Sequence, residues 1–192
     1  MQSFPVLTLE TAPEQSKPSL LALQGVFGRV PNIAGVMSTS PVLIGSLVAL
    51  FQKVHGGSFS EAQIQILLLT NAVTNASAWA VAFHTALALK EGVDPADVQA
   101  IREHKTPGSS TNAALSMLAR ALIEKRGRLD DLDKSRFLNA GFSKAHLLEV
   151  IAVVAASTIT NYTGNVTQPP VEHAFEAYAW SQDPHAQTVE KE

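Results

Sequence analysis

Cysteine is absent from all 192 residues. That excludes disulfides, thiolate metal sites and every reaction that needs a sulfur nucleophile. Charge is scarce too: 14 Lys and Arg against 17 Asp and Glu leave a formal net charge of −3. The densest basic stretch, EKRGRLDDLDKSR, is interleaved with acids, so neither nucleic acid nor an anionic membrane is an expected partner. There is no run of 18 apolar residues. The longest candidate, LLEVIAVVAASTIT, suits a buried core helix better than a membrane span. The opening MQSFPVLTLETAPEQSKPS lacks the basic and apolar regions of a signal peptide, which makes a cytoplasmic protein the expectation. The sequons beginning at Asn75, Asn161 and Asn165 then read as chance. HxxxH and HExxH spacings are missing, so no metal site is expected, and no GxGxxG, phosphate loop or GxSxG occurs.

What is present is apolar and helical. Hydrophobic residues make up 46% of the chain, enough for a sizeable core. Residues 1–19 hold Pro5, Pro13 and Pro18 and read as an extended arm, residues 20–180 as one domain, and 181–192 as a flexible tail. Within the domain, caps recur at helix-like spacing. Ser40 and Pro41 open one helix that Gly56-Gly57 close, and Ser60 with Gln63 form a capping box for the next. Asp94-Pro95 open a short helix. SKAHLLEVIAVVAASTITNYTGNV is a long apolar one. No segment alternates convincingly as a strand, so the expected class is all-α. A weak internal echo relates the segment from Phe59 to that from Phe142, matching Gln65 with Glu149 and Ser77 with Asn161.

The stretch NASAWAVAFHTALALKEG holds one ionisable group in its middle, His84. Ser77, Ala80 and His84 share a helix stripe, and Thr70, Asn71, Thr74 and Asn75 end the preceding helix on one face. If the two helices form a hairpin, these polar groups can converge near Ser77. Each buried group left unmet would cost about 1–3 kcal/mol, so the cluster is either a satisfied network or the lining of a site. Taken singly, each residue has a plainer role. A lone histidine on an apolar helix is ordinarily a core residue bonded to a carbonyl, Ser77 or Asn75 is the expected N-cap, and Trp79 and Phe83 are spaced to pack together.

EAQIQILLLTNAVTNASAWAVAFHTALALKEGVDPADVQAI resembles the core of the carboxymuconolactone decarboxylase and alkylhydroperoxidase-D-like (AhpD-like) superfamily. ITNYTGNVTQPPVEHAFEAYAW resembles the C-terminal segment of its peroxidase-related branch, and the likeness spans roughly residues 20–180. It implies an AhpD-like helical fold with a central antiparallel hairpin, assembled as a homotrimer or as two stacked trimers, a homohexamer.

In the peroxidase members a CxxC pair and a glutamate work with the histidine. Carried over by position, the first cysteine falls on Ser77, the second on Ala80, the glutamate on Gln65 and the histidine on His84. Only the histidine survives. A serine hydroxyl cannot cycle through sulfenic acid, Ala80 cannot resolve it, and Gln65 cannot carry a proton, so thiol-dependent peroxidase activity is excluded.

The decarboxylase branch implies a different chemistry: cofactor-free proton transfer on a small organic acid or lactone. There His84 would be the acid/base and Gln65, Asn75 and Ser77 a hydrogen-bonding wall. Cations would be needed for a carboxylated substrate, and Arg29 and Arg120 are the arginines in apolar surroundings. The alternative is a non-catalytic descendant that keeps the oligomeric scaffold or binds a small ligand. The surroundings of His84 discriminate: an open hollow with an arginine in reach points to an enzyme, a close-packed ring on a main-chain carbonyl to a scaffold.

Overall fold

Proline and glycine set the helix boundaries. In the computed structural model, which describes residues 3–182, α1 (Lys17–Phe27) carries a proline in its first turn and stops at Gly28, whose φ of 72° closes the helix in the left-handed region. Pro31 then opens α2 (Asn32–Met37), and Ser40 caps α3 (Pro41–His55) by accepting from the Leu43 amide. The capping box of Ser60 and Gln63 is formed at the start of α4 (Glu61–Thr74). After α5 (Ala78–Lys90) comes α6 (Pro95–Arg102), capped by Asp94. The chain continues through α7 (Ser110–Glu124), α8 (Asp131–Asn139) and α9 (Lys144–Thr167). Short 3-10 turns cover Glu14–Ser16 and His173–Tyr178. No strand occurs among the described residues, and the class is all-α. Most of the tail, from residue 183 on, lies outside the described residues.

α4 is the centre. Its residues from Ile64 to Val73 are all buried, as a helix apolar around most of its circumference must be. α5, α7 and α9 pack around it, α4 and α5 forming the expected hairpin. The echo between segments is visible here. α4 and α9 both begin with a capping box, Ser60–Gln63 and Ser143–His146, and the preceding Phe59 and Phe142 meet at 6.0 Å. By length and composition α9 passes as a membrane span, because its apolar character extends beyond the 14 residues apparent in sequence. Its Val150, Val153, Ala156 and Asn161 nonetheless face the core, while Leu148, Ile151, Tyr162 and Val166 form an exposed stripe.

The start and end of the chain lie against this bundle. The Leu7 amide bonds the Gly35 carbonyl, which leaves no room at Gly35 for a side chain. At the other end Arg102 holds the last turn, donating to the carbonyls of Tyr178 and Ala179 and to the hydroxyl of Thr85. Trp180 returns a bond to the Arg102 carbonyl.

Candidate functional site

His84 is 2% exposed and its Nδ1 lies 3.0 Å from Oε1 of Gln65 on α4. An amide oxygen only accepts, so Nδ1 carries the hydrogen and Nε2 keeps its lone pair. Among the described residues no group bonds Nε2, and it is not one of their six sealed, partnerless polar atoms, so it opens onto the adjacent hollow. Burial pushes His84 down to about 3, with the nearby charge of His55 adding to the effect. The ring is therefore neutral at pH 7. The plainer expectation, a histidine tied to a main-chain carbonyl, is not what forms here.

The hollow beside it measures about 360 Å³ and is mostly apolar. Leu23, Val26 and Phe27 of α1, Val48 and Phe51 of α3, Leu68 of α4, and Phe83 and Leu87 of α5 make its walls. Its polar points are His84 and Gln65 inside and Gln52, His55, Glu61, Lys90 and Glu91 nearer solvent. Such a lining, apolar with a few convergent polar groups, is what small-molecule sites have in common.

A second hollow of about 230 Å³ adjoins the first and shares Val26, Phe27, Phe83, Leu87 and Lys90 with it. It adds Arg29, Glu172 and Phe175. The Arg29 guanidinium lies 5.9 Å from the centroid of the Phe175 ring, and neither Arg29 nor Lys90 enters an ion pair among the described residues. Glu172 is occupied elsewhere: one oxygen accepts from the Asn32 amide at 2.6 Å, the other from Trp79 Nε1 at 3.0 Å. Trp79 in turn stacks on Phe83, with centroids 4.8 Å apart, the i, i+4 pairing their spacing requires.

Of the residues singled out from sequence, the structure brings together His84 and Gln65 and separates the others from them. Ser77 begins α5 but its side chain makes no cap; its Oγ is buried and unpartnered, turned toward Gly164 of α9. Asn75 bonds the Asn71 carbonyl and receives Asn165 on its own. Ala80 is fully buried in the core. None of these three lines either hollow. Ser77 and His84 stand seven residues apart, about 10 Å along the helix, so Ser77 lies away from the hollow that His84 lines. Arg120 bonds the His104 carbonyl and stays away from the hollow. His55 and Glu61 are lining residues the sequence reading passed over. They sit at the end of one helix and the start of the next, and nothing in their local pattern separates them from ordinary surface charges.

An all-helical chain with a buried histidine on a central hairpin matches known proteins. Residues 46–122, which include α4, α5 and α6, match the carboxymuconolactone decarboxylase family. Among solved structures, an uncharacterized peroxidase-related protein from Ralstonia eutropha JMP134, described as an alkylhydroperoxidase AhpD core, superposes with a TM-score of 0.76 at 16% identity, over 90% of this chain and 93% of that one. The debrominase Bmp8, solved in complex with 2,3,4-tribromopyrrole, gives 0.74 at 18% identity, over 93% and 96%. An uncharacterized peroxidase-related protein from Silicibacter sp. TM1040 gives 0.73 at 14%, over 91% and 92%. No curated protein matches the sequence. The fold is AhpD-like. The match to the carboxymuconolactone decarboxylase family covers residues 46–122, and the chain carries no cysteine.

Proposed function

We propose that the protein carries out cofactor-free acid/base chemistry on a small organic acid or lactone, with His84 as the buried polar group that meets the substrate. The observation that carries this reading is the adjacency of the two hollows. Phe27, Phe83 and Leu87 line both, with His84 on the first, Arg29 on the second and Lys90 on each. A compact apolar body fits against His84, and a carboxylate fits Lys90 or Arg29. The chemistry is not that of a thiol peroxidase, since no sulfur nucleophile exists in the chain.

Calorimetry with 4-phenylbutyrate and its neutral amide tests the fit. The carboxylate is expected to bind, the amide more weakly, and Arg29→Gln to reduce carboxylate affinity about tenfold, as loss of one charge-assisted contact does. Absence of binding by both compounds would sink the reading. In a screen of lactones and keto acids, His84→Gln should lower turnover about tenfold or more. The neutrality of His84 favours one second reading, a ligand-binding descendant without catalysis. Binding that persists with no turnover across the screen would select it.

The exposed stripe on α9 supports self-association as a trimer or hexamer, since Leu148, Ile151, Tyr162 and Val166 repeat at helical spacing along one face.

A further inference from the structure

α4 carries two oxygen acceptors one helical turn apart, Glu61 and Gln65, and each meets a histidine from a different helix. His55, the last residue of α3, places Nδ1 2.8 Å from Oε2 of Glu61, the first residue of α4. His84 of α5 meets Gln65 below. All four line the same hollow. The two pairs differ in chemistry. A carboxylate offsets the charge an imidazole gains on taking a proton; a carboxamide does not. They also differ in access. The His55 side chain is 33% exposed and can exchange protons with water, whereas His84 is sealed but for Nε2. The helix ends act in the same sense, since a cation is favoured where α3 closes and an anion where α4 opens.

We propose that His55, oriented by Glu61, is the proton carrier of the hollow, and that His84 with Gln65 is a neutral hydrogen-bonding pair beneath it. This deepens the acid/base reading above and rests on it. Glu61 holds the Nδ1 hydrogen of His55, leaving Nε2 as the base. With a β,γ-unsaturated lactone, Nε2 takes the α proton and the C–H electron pair moves into a dienolate. The imidazolium then returns a proton to the γ carbon, giving the conjugated lactone with no net gain or loss. With a carboxylated substrate, CO2 leaves, the bonding pair stays on carbon, and that carbon takes the proton of His55. Water then reprotonates His55, one proton per CO2. The other charged groups on the wall, Lys90 and Glu91, come from the end of α5.

Two assays on the full chain test the assignment, and the exposed positions of His55 and Glu61 leave the core of their variants intact. The first needs no turnover. Phenacyl bromide alkylates an imidazole nitrogen with loss of bromide, and this chain offers no thiol to compete. Peptide mass mapping should find His55 labelled with saturating kinetics, about tenfold faster than the exposed His104 and His173, and Glu61→Gln should slow it about threefold or more. Equal labelling of all exposed histidines, or preferential labelling of His84, overturns the proposal. In the second assay α-angelica lactone isomerisation is followed by ultraviolet absorbance. His55→Gln should lower the rate about 10²-fold and Glu61→Gln should displace the pH profile. An unchanged rate in His55→Gln overturns the proposal. No isomerisation by wild type, with His55 still selectively labelled, overturns the enzymatic reading and supports His55 as the basic nitrogen of the hollow.

Discussion

Glu61 and Gln65 stand four residues apart on one face of α4, and each holds a histidine from another helix, His55 and His84. The outer pair meets solvent and the inner pair does not. Most of the site's chemistry follows from that difference in depth.

The inner pair has a consequence for stability. His84 is lowered to about 3 in the folded chain, first by burial and then by the charge of His55. In the unfolded chain an ordinary histidine titrates near 6.5, so between those values the unfolded state binds the extra proton. Stability is therefore full above about pH 6.5 and falls as pH drops toward 3. Between pH 7 and pH 4.5 the loss assigned to His84 is about 2–3 kcal/mol. Urea unfolding of wild type and His84→Gln at both pH values measures it. The variant should lose less stability on acidification, and an identical loss would contradict the neutral ring.

Gly164 and Ser77 form a second testable contact. A Cβ at Gly164 would sit 2.9 Å from Ser77 Oγ, closer than such atoms approach. Gly164→Ala alone should destabilise by about 1–3 kcal/mol through overpacking. Ser77→Ala removes a buried hydroxyl that has no partner, and should be close to neutral. In the double variant the clash is relieved and the better helix former remains, so stability should return to wild type or above it. Simple additivity in chemical denaturation would show that the two residues do not meet.

The fold was legible in the sequence, because caps and apolar period are local properties. Ser40, Ser60 and Asp94 each cap the helix assigned to them. The site was only half legible. Gln65 and His84 could be matched to a pattern, but His55 and Glu61 become a pair only when the turn at residues 56–60 brings the end of α3 beside the start of α4. Ser77 lies outside both hollows for the converse reason: position along a stripe says nothing of distance along the axis.

Glu172 should be worth more than its place in the chain suggests. It joins the Asn32 amide to the Trp79 indole, and both donors are left unmet if it is removed. Glu172→Ala is expected to cost about 2–4 kcal/mol, one to two buried donors' worth. Glu172→Gln, which keeps one acceptor oxygen, should fall between. Urea titrations followed by tryptophan fluorescence, with limited proteolysis after residue 168, will report both changes. An Ala variant as stable as wild type would exclude the bridge.

Self-association through α9 is open to a direct measurement. Light scattering should give three or six times the 20.5 kDa chain mass. Ile151→Glu with Val166→Lys, both on the exposed stripe, should shift the mass downward while circular dichroism stays unchanged. A wild-type monomer would contradict the proposal.

The capping box at Ser60 and Gln63 does more than end a helix tidily. It sets the rotational phase of α4, and both acceptor oxygens inherit that phase. A one-residue slip turns the helix by about 100° and carries Glu61 and Gln65 off their histidines together. α4 is thus a ruler with two marks. Changes that lengthen the turn at residues 56–60 leave the ruler intact and move only its upper partner, so His55 can be retuned in evolution or by design while the pairing of Gln65 with His84 stays where it is.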